Sequence, residues 1–156
     1  MRSFLLILFA LVTTPALAQG WQTYDNARFG YTIDIPPGFE VASEASNGDG
    51  ATFYREAGAM DLFVWGANLL EDFADEAEQA QAFATEQGYN LTYQATTPQW
   101  TSFSGIAAGK VMYQRMQLLC DGQSWAAFRV EYGQRDIAAM DKVIERLVQS
   151  LRGNGC

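Results

Sequence analysis

Apolar and polar positions along this chain alternate with two different periods. Tyr31, Ile33 and Ile35 alternate with Thr32 and Asp34, which predicts a half-buried strand that Pro36-Pro37-Gly38 ends. Shorter strands are expected at 21–24, 39–42 and 51–56, the last two on either side of the turn Asn47-Gly48-Asp49-Gly50. Between Met60 and Ala67 the alternation fails, because Leu62 and Val64 point one way while Phe63 and Trp65, equally apolar, point the other. A strand apolar on both faces belongs in the middle of a sheet that is covered on both sides. Helical spacing follows at 71–87, where Phe73, Ala77, Ala80 and Ala84 share a stripe with Phe83 beside it. The acidic residues crowded at its start suit the positive end of a helix dipole, and Gly88 suits its stop. Period two returns at 89–95, 100–106, 110–119 and 125–132. The chain closes on a helix at 136–151, whose Ile137, Met140, Ile144, Leu147 and Leu151 recur at intervals of three and four. These elements predict an α+β fold, a three-layer α/β/α sandwich around a mainly antiparallel sheet.

The N-terminus follows another pattern. Arg2 precedes nine consecutive apolar residues, Phe4 to Val12, followed by a Thr-Thr-Pro break and then Ala16-Leu17-Ala18 before Gln19. That order reads as a secretory signal peptide over 1–18, cleaved between Ala18 and Gln19. Nine apolar residues fall short of the roughly 20 that cross a bilayer, so no stable membrane anchor is expected after cleavage. The expected location is the periplasm or the medium, with residues 19–156 forming a single domain.

Composition narrows the chemistry. The chain has no histidine, which removes His-based catalytic triads and His metal ligands. Its net charge of −8 argues against nucleic-acid binding, because neutralising phosphate requires a basic surface. No cofactor motif is present. The Asn47-Gly48-Asp49-Gly50 segment resembles part of a calcium loop, but in that register Ala45 takes the first ligand position, so a hairpin turn is expected and no metal site. Ser102 and Ser104 lack the Ser-x-x-Lys spacing to Lys110 that would activate a nucleophile. The four tryptophans lie on predicted strands and read as core rather than as a ligand groove.

Two features stand out as candidate sites. Cys120 and Cys156, in an oxidising compartment, are expected to pair and tie the Gly153-Asn154-Gly155 tail to the body, unless Cys156 reaches a second molecule. A hairpin centred on Gly122 would set Arg115 opposite Arg129 and Tyr113 opposite Glu131, leaving Met112, Met116, Leu118, Phe128, Val130 and Tyr132 on the other face. Two facing guanidinium groups would suit an anion or an acidic partner. A solvated pair, or a register one residue away, would account for the same residues.

The segment from Tyr24 to Pro36, with its Asp25-Asn26-Ala27-Arg28 turn and Phe29-Gly30-Tyr31, resembles the opening of the PsbP-like α/β/α sandwich family. The Asn-Gly-Asp-Gly turn and the Trp100…Ser104-Gly105…Gly109…Tyr113 segment are similar to small exported bacterial proteins of that fold without an assigned activity. Relatives of this fold include a photosystem accessory subunit, a nuclear-transport factor that binds a small GTPase, secretion chaperones and envelope lipoproteins. The resemblance implies an exported, non-catalytic binding or accessory protein of the bacterial envelope, with a protein or small molecule as partner. The rival expectation is a carboxylate-dependent hydrolase, which the 18 acidic residues permit without singling out a pair.

Overall fold

A computed structural model describes residues 20–155. Nine strands and two α-helices follow the predicted order, β1 (Gln22–Asn26), β2 (Tyr31–Ile35), β3 (Glu40–Glu44), β4 (Gly50–Arg55), β5 (Met60–Asn68), α1 (Phe73–Glu86), β6 (Asn90–Thr96), β7 (Trp100–Ala107), β8 (Lys110–Leu118), β9 (Ser124–Gly133) and α2 (Ile137–Ser150), and an unpredicted strand β10 (Arg152–Gly153) comes after them. Seven of the strands form one sheet in the order β3-β4-β5-β9-β8-β7-β6, and β1-β2-β10 form a second, three-stranded sheet. Every pairing is antiparallel.

The doubly apolar strand β5 lies inside the large sheet, between β4 and β9, as its pattern requires. Leu62 and Val64 of β5 pair with Val130 and Phe128 of β9. They pack with Tyr31 and Ile33 of β2 and with Met140 and Leu147 of α2 in the main core. These side chains are at most 1% exposed, and burying each contributes roughly 1.5–3 kcal/mol. One outer layer is therefore α2 together with the small sheet. Arg146 fastens these two parts by holding Asp34 Oδ2 through Nε (3.0 Å) and Nη2 (2.8 Å), while its guanidinium stacks on Trp21 at 4.2 Å.

The other face of the large sheet is covered by α1. Phe73 packs there with Met116, Trp125 and Ala127, and Ala84 packs with Phe103, Met112 and Tyr89. The sandwich is thus three-layered, as expected, but its layers are unequal. The α1 stripe is mostly alanine, which lets the helix lie close to the sheet without covering the sheet's full width. Phe63 and Trp65 of β5 stay only half-buried on this side.

The tail is more ordered than its Gly-Asn-Gly composition suggests. Arg152 and Gly153 pair with Thr32 and Tyr31, and the amide of Asn154 donates to the carbonyl of Gly30 at 2.6 Å. Next to that contact the Phe29 ring lies so close to Gly66 that a Cβ there would meet ring carbons at 2.8 Å. Only glycine lets the small sheet settle on β5 at this point.

Candidate functional site

The β8–β9 hairpin decides where the candidate side chains point, and its register differs from the one expected. Arg115 pairs with Phe128, and Arg129 pairs with Gln114. The loop holds four residues, Cys120 to Gln123, closed by Leu119 N–H donating to Ser124 O at 2.8 Å. Asp121 sets this length. Its Oδ1 accepts from the amides of Gln123 and Ser124, each at 2.9 Å, and its Oδ2 accepts from Ser124 Oγ at 2.7 Å. An even loop shifts the register by one residue from the Gly122-centred turn, and a one-residue shift moves every side chain of one strand to the other face. Arg115 and Arg129 therefore do not share a face. The expected apolar face is corrected in the same way, with Met112, Met116 and Leu118 on the α1 side and Phe128, Val130 and Tyr132 on the α2 side.

On the α1 side, Arg129 is 9% exposed and has an internal carboxylate beside it. Its Nε lies 2.9 Å from Glu131 Oε1, its Nη1 donates to Gln87 Oε1 at 2.8 Å, and its guanidinium sits 5.1 Å over the Tyr89 ring. Gln87 follows directly on α1, so this cluster ties the helix's C-terminal end to the sheet. Further along the same face a groove of about 570 Å³ opens between α1 and the sheet. Trp65, Met116 and Trp125 floor it, with the two tryptophan rings edge to face at 6.3 Å. Phe83, expected beside the buried stripe, stands over the groove and is 57% exposed. Glu76 and Glu86 stand along the helix side. Trp125 is 8% exposed, and its indole N–H has no hydrogen-bond partner among the described residues. The tryptophans Trp65 and Trp125 thus belong both to the packing and to the groove, where the sequence indicated packing alone.

On the α2 side, Arg115 occupies a different setting. Its guanidinium stacks on Trp100 at 4.4 Å, and Nη1 donates to Ser102 Oγ at 3.1 Å. A cavity of about 590 Å³ opens beside it, lined also by Gln99, Gln117, Leu118, Leu119 and Cys120. Burial lowers the Arg115 pKa from its ordinary value.

The other sequence candidates fall as follows. Cys120 lies in the exposed β8–β9 turn, while Cys156, Ala18 and Gln19 lie outside the described residues. Asn47 and Asp49 form the turn between β3 and β4, where Asp49 N–H donates to Asn47 Oδ1 and Arg28 pairs with Asp49 at 3.2 Å. Among the acidic residues at the start of α1, Glu76 accepts from the backbone N–H of Leu70 at 2.8 Å, which fixes the approach to the helix. Ser102 is buried against Arg115, and no cluster of three or more metal-ligating side chains occurs among the described residues.

No protein-family model and no curated protein matches the chain. Its architecture is similar to that of solved structures. PsbP (CyanoP) from Synechocystis sp. PCC 6803 superposes with a TM-score of 0.64 at 12% identity, over 92% of this chain and 98% of that one. The Saccharomyces cerevisiae Ran-binding protein Mog1p superposes with a TM-score of 0.61 at 10% identity, over 85% of this chain and 95% of that one. The chain therefore has a PsbP-like fold, an α+β sandwich built on antiparallel strands.

Proposed function

We propose that this protein is an exported, non-catalytic binding protein of the bacterial cell envelope, and that it takes a protein partner in the groove between α1 and the sheet. The observation that carries this reading is a groove floored by the half-buried Trp65, with Met116 and Trp125 buried beneath it, under a Phe83 that is left exposed instead of packed. Aromatic side chains that line a concavity are the usual anchors of recognition. The flanking helix is acidic, with Asp75, Glu76, Glu78 and Glu86 and no basic residue anywhere in α1. The one arginine in the groove is already held by Glu131 and Gln87. An apolar segment carrying lysine or arginine complements this surface; an acidic one does not. Mog1p, which shares the fold, binds Ran, and that supports protein binding as the class of activity.

Export enters the proposal through the 1–18 pattern, and N-terminal sequencing of periplasmic material should begin at Gln19. A Cys120–Cys156 bond belongs to the same reading. The β10–β2 pairing leads the tail to Gly30, beside Phe29 and Gly66, and Gly66 pairs with Ala126 a few residues beyond the Cys120 turn.

Short peptides alternating leucine with lysine, leucine with glutamate, and serine with lysine test the groove by tryptophan fluorescence. The leucine–lysine peptide should bind saturably, more weakly at high salt, and at least about tenfold more weakly to Phe83→Ala, whose side chain is exposed enough for the fold to survive its loss. Binding of all three peptides alike, or unchanged affinity in Phe83→Ala, would refute the site.

A further inference from the structure

Of the arginines among the described residues, five lie within 4 Å of a carboxylate: Arg28, Arg55, Arg129, Arg135 and Arg146. Arg152 has no such partner but is exposed to water. Arg115 is the exception, partly buried and with no carboxylate in reach among the described residues. Its Nε is inaccessible and, among the described residues, makes no hydrogen bond, while Nη1 donates to the neutral hydroxyl of Ser102. The groups facing it electrostatically are the Tyr93 and Tyr113 phenols. Burial raises the pKa of Tyr113 further, so this phenol stays neutral near neutral pH and supplies no counter-charge. A partly dehydrated guanidinium without a counter-ion is costly to hold, and in a chain with 18 acidic residues a partner would be easy to supply. The arginine is nevertheless kept in place, its guanidinium over Trp100 and bonded through Nη1 to Ser102, where it lines the cavity.

We propose that the Arg115 cavity is a binding site for a small carboxylate whose body is apolar. The planar guanidinium matches a carboxylate through two parallel hydrogen bonds, and stacking on Trp100 fixes its plane before the ligand arrives. Leu119 and the Trp100 ring supply the apolar wall, while Gln99 and Gln117 place amide donors and acceptors around the opening. The space of about 590 Å³ accepts a single ring or a short acyl chain, within the range of ordinary ligand cavities. This site is on the opposite face of the sheet from the α1 groove, so each can fail without the other.

The test uses the full chain, with benzoate as the probe and benzamide as its neutral isostere. NMR follows the Arg115 Nε–H and Trp100 indole N–H signals during titration. Benzoate should shift both signals saturably and benzamide should not. Arg115→Gln should abolish the effect, and Arg115→Lys, which keeps the charge but loses the fork, should weaken it about tenfold, as expected when one charge-assisted hydrogen bond is lost. Phe83→Ala should bind benzoate like the wild type. Should Arg115→Gln fail to fold, the Arg115→Lys comparison carries the test alone. The proposal is overturned if benzoate produces no saturable shift, if benzamide binds equally, or if the arginine variants retain wild-type affinity. Binding of inorganic phosphate in place of benzoate would overturn the carboxylate assignment.

Discussion

Replacing Arg129 with methionine tests the structural account of the α1 face. Arg129 is 9% exposed, and its ion-pair partner Glu131 retains 18% side-chain exposure. The substitution keeps most of the aliphatic volume but removes a charge-assisted contact of 2.9 Å, the 2.8 Å bond to Gln87 and the stacking over Tyr89. Breaking a fully buried pair from one side costs about 3–5 kcal/mol, because the other charge is stranded. Partial access of water to Glu131 brings this toward the lower end, about 3 kcal/mol. Adding Glu131→Gln removes the stranded charge and should recover about 2 kcal/mol, leaving a residue of about 1 kcal/mol for the lost Gln87 bond. Urea unfolding gives the readout. With a slope of about 2 kcal/mol per molar urea, the single variant should lose about 1.5 M in midpoint and the double variant about 0.5 M. A single variant within about 0.3 M of wild type, or a double variant no better than the single, would show that the pair is solvated and does not anchor the helix end.

Two further predictions concern the hairpin and the tail. Asp121 has its pKa lowered by hydrogen bonds from the Gln123 and Ser124 amides and the Ser124 hydroxyl. A depressed carboxylate contributes stability that is present above its unfolded value of about 3.9 and is lost as pH falls through the lower folded value. Asp121→Ala should therefore cost roughly 0.5–1 kcal/mol at neutral pH, discounted for exposure, and the gap from wild type should close on acidification below about pH 4; a gap independent of pH in thermal melts would contradict this. For the tail, intact mass spectrometry without reductant should show one intramolecular Cys120–Cys156 link. Closing a loop of about 36 residues, this link contributes roughly 3–4 kcal/mol, and two free thiols or a covalent dimer would refute it.

The sequence was most legible where periodicity and burial coincide. The strand ending at Pro36, the doubly apolar β5 and the stripe of α2 carry their packing partners in their spacing, and the three-layer arrangement follows from them. Strand β10 had no such signal, because two residues cannot show a period and its pairing comes from tertiary contact with β2. The groove was concealed for a related reason. Alanines at 77, 80 and 84 read as a buried stripe, but how far a small-residue stripe leaves neighbouring aromatics uncovered depends on where the helix sits across the sheet, which periodicity does not encode.

The hairpin shows how little separates a legible element from an illegible site. Both strands were apparent, and so was the turn between them, yet the chemistry depended on whether the loop was odd or even. One aspartate settled that by capping two amides and a hydroxyl. In the odd register two arginines face each other and a shared anion is the natural inference. In the even register they separate, and their surroundings become opposite in kind. Arg129 lies next to Glu131, which points to the same face two residues along its own strand, and becomes part of the framework. Arg115 lies opposite Phe128 and beside Ser102, where the chain provides no negative charge among the described residues. A guanidinium with an internal carboxylate serves stability, and the one without it is the basis of the carboxylate site proposed above. Asp121, exposed between two residues that line the Arg115 cavity, thus decides through its turn which arginine has an internal carboxylate beside it and which has none among the described residues.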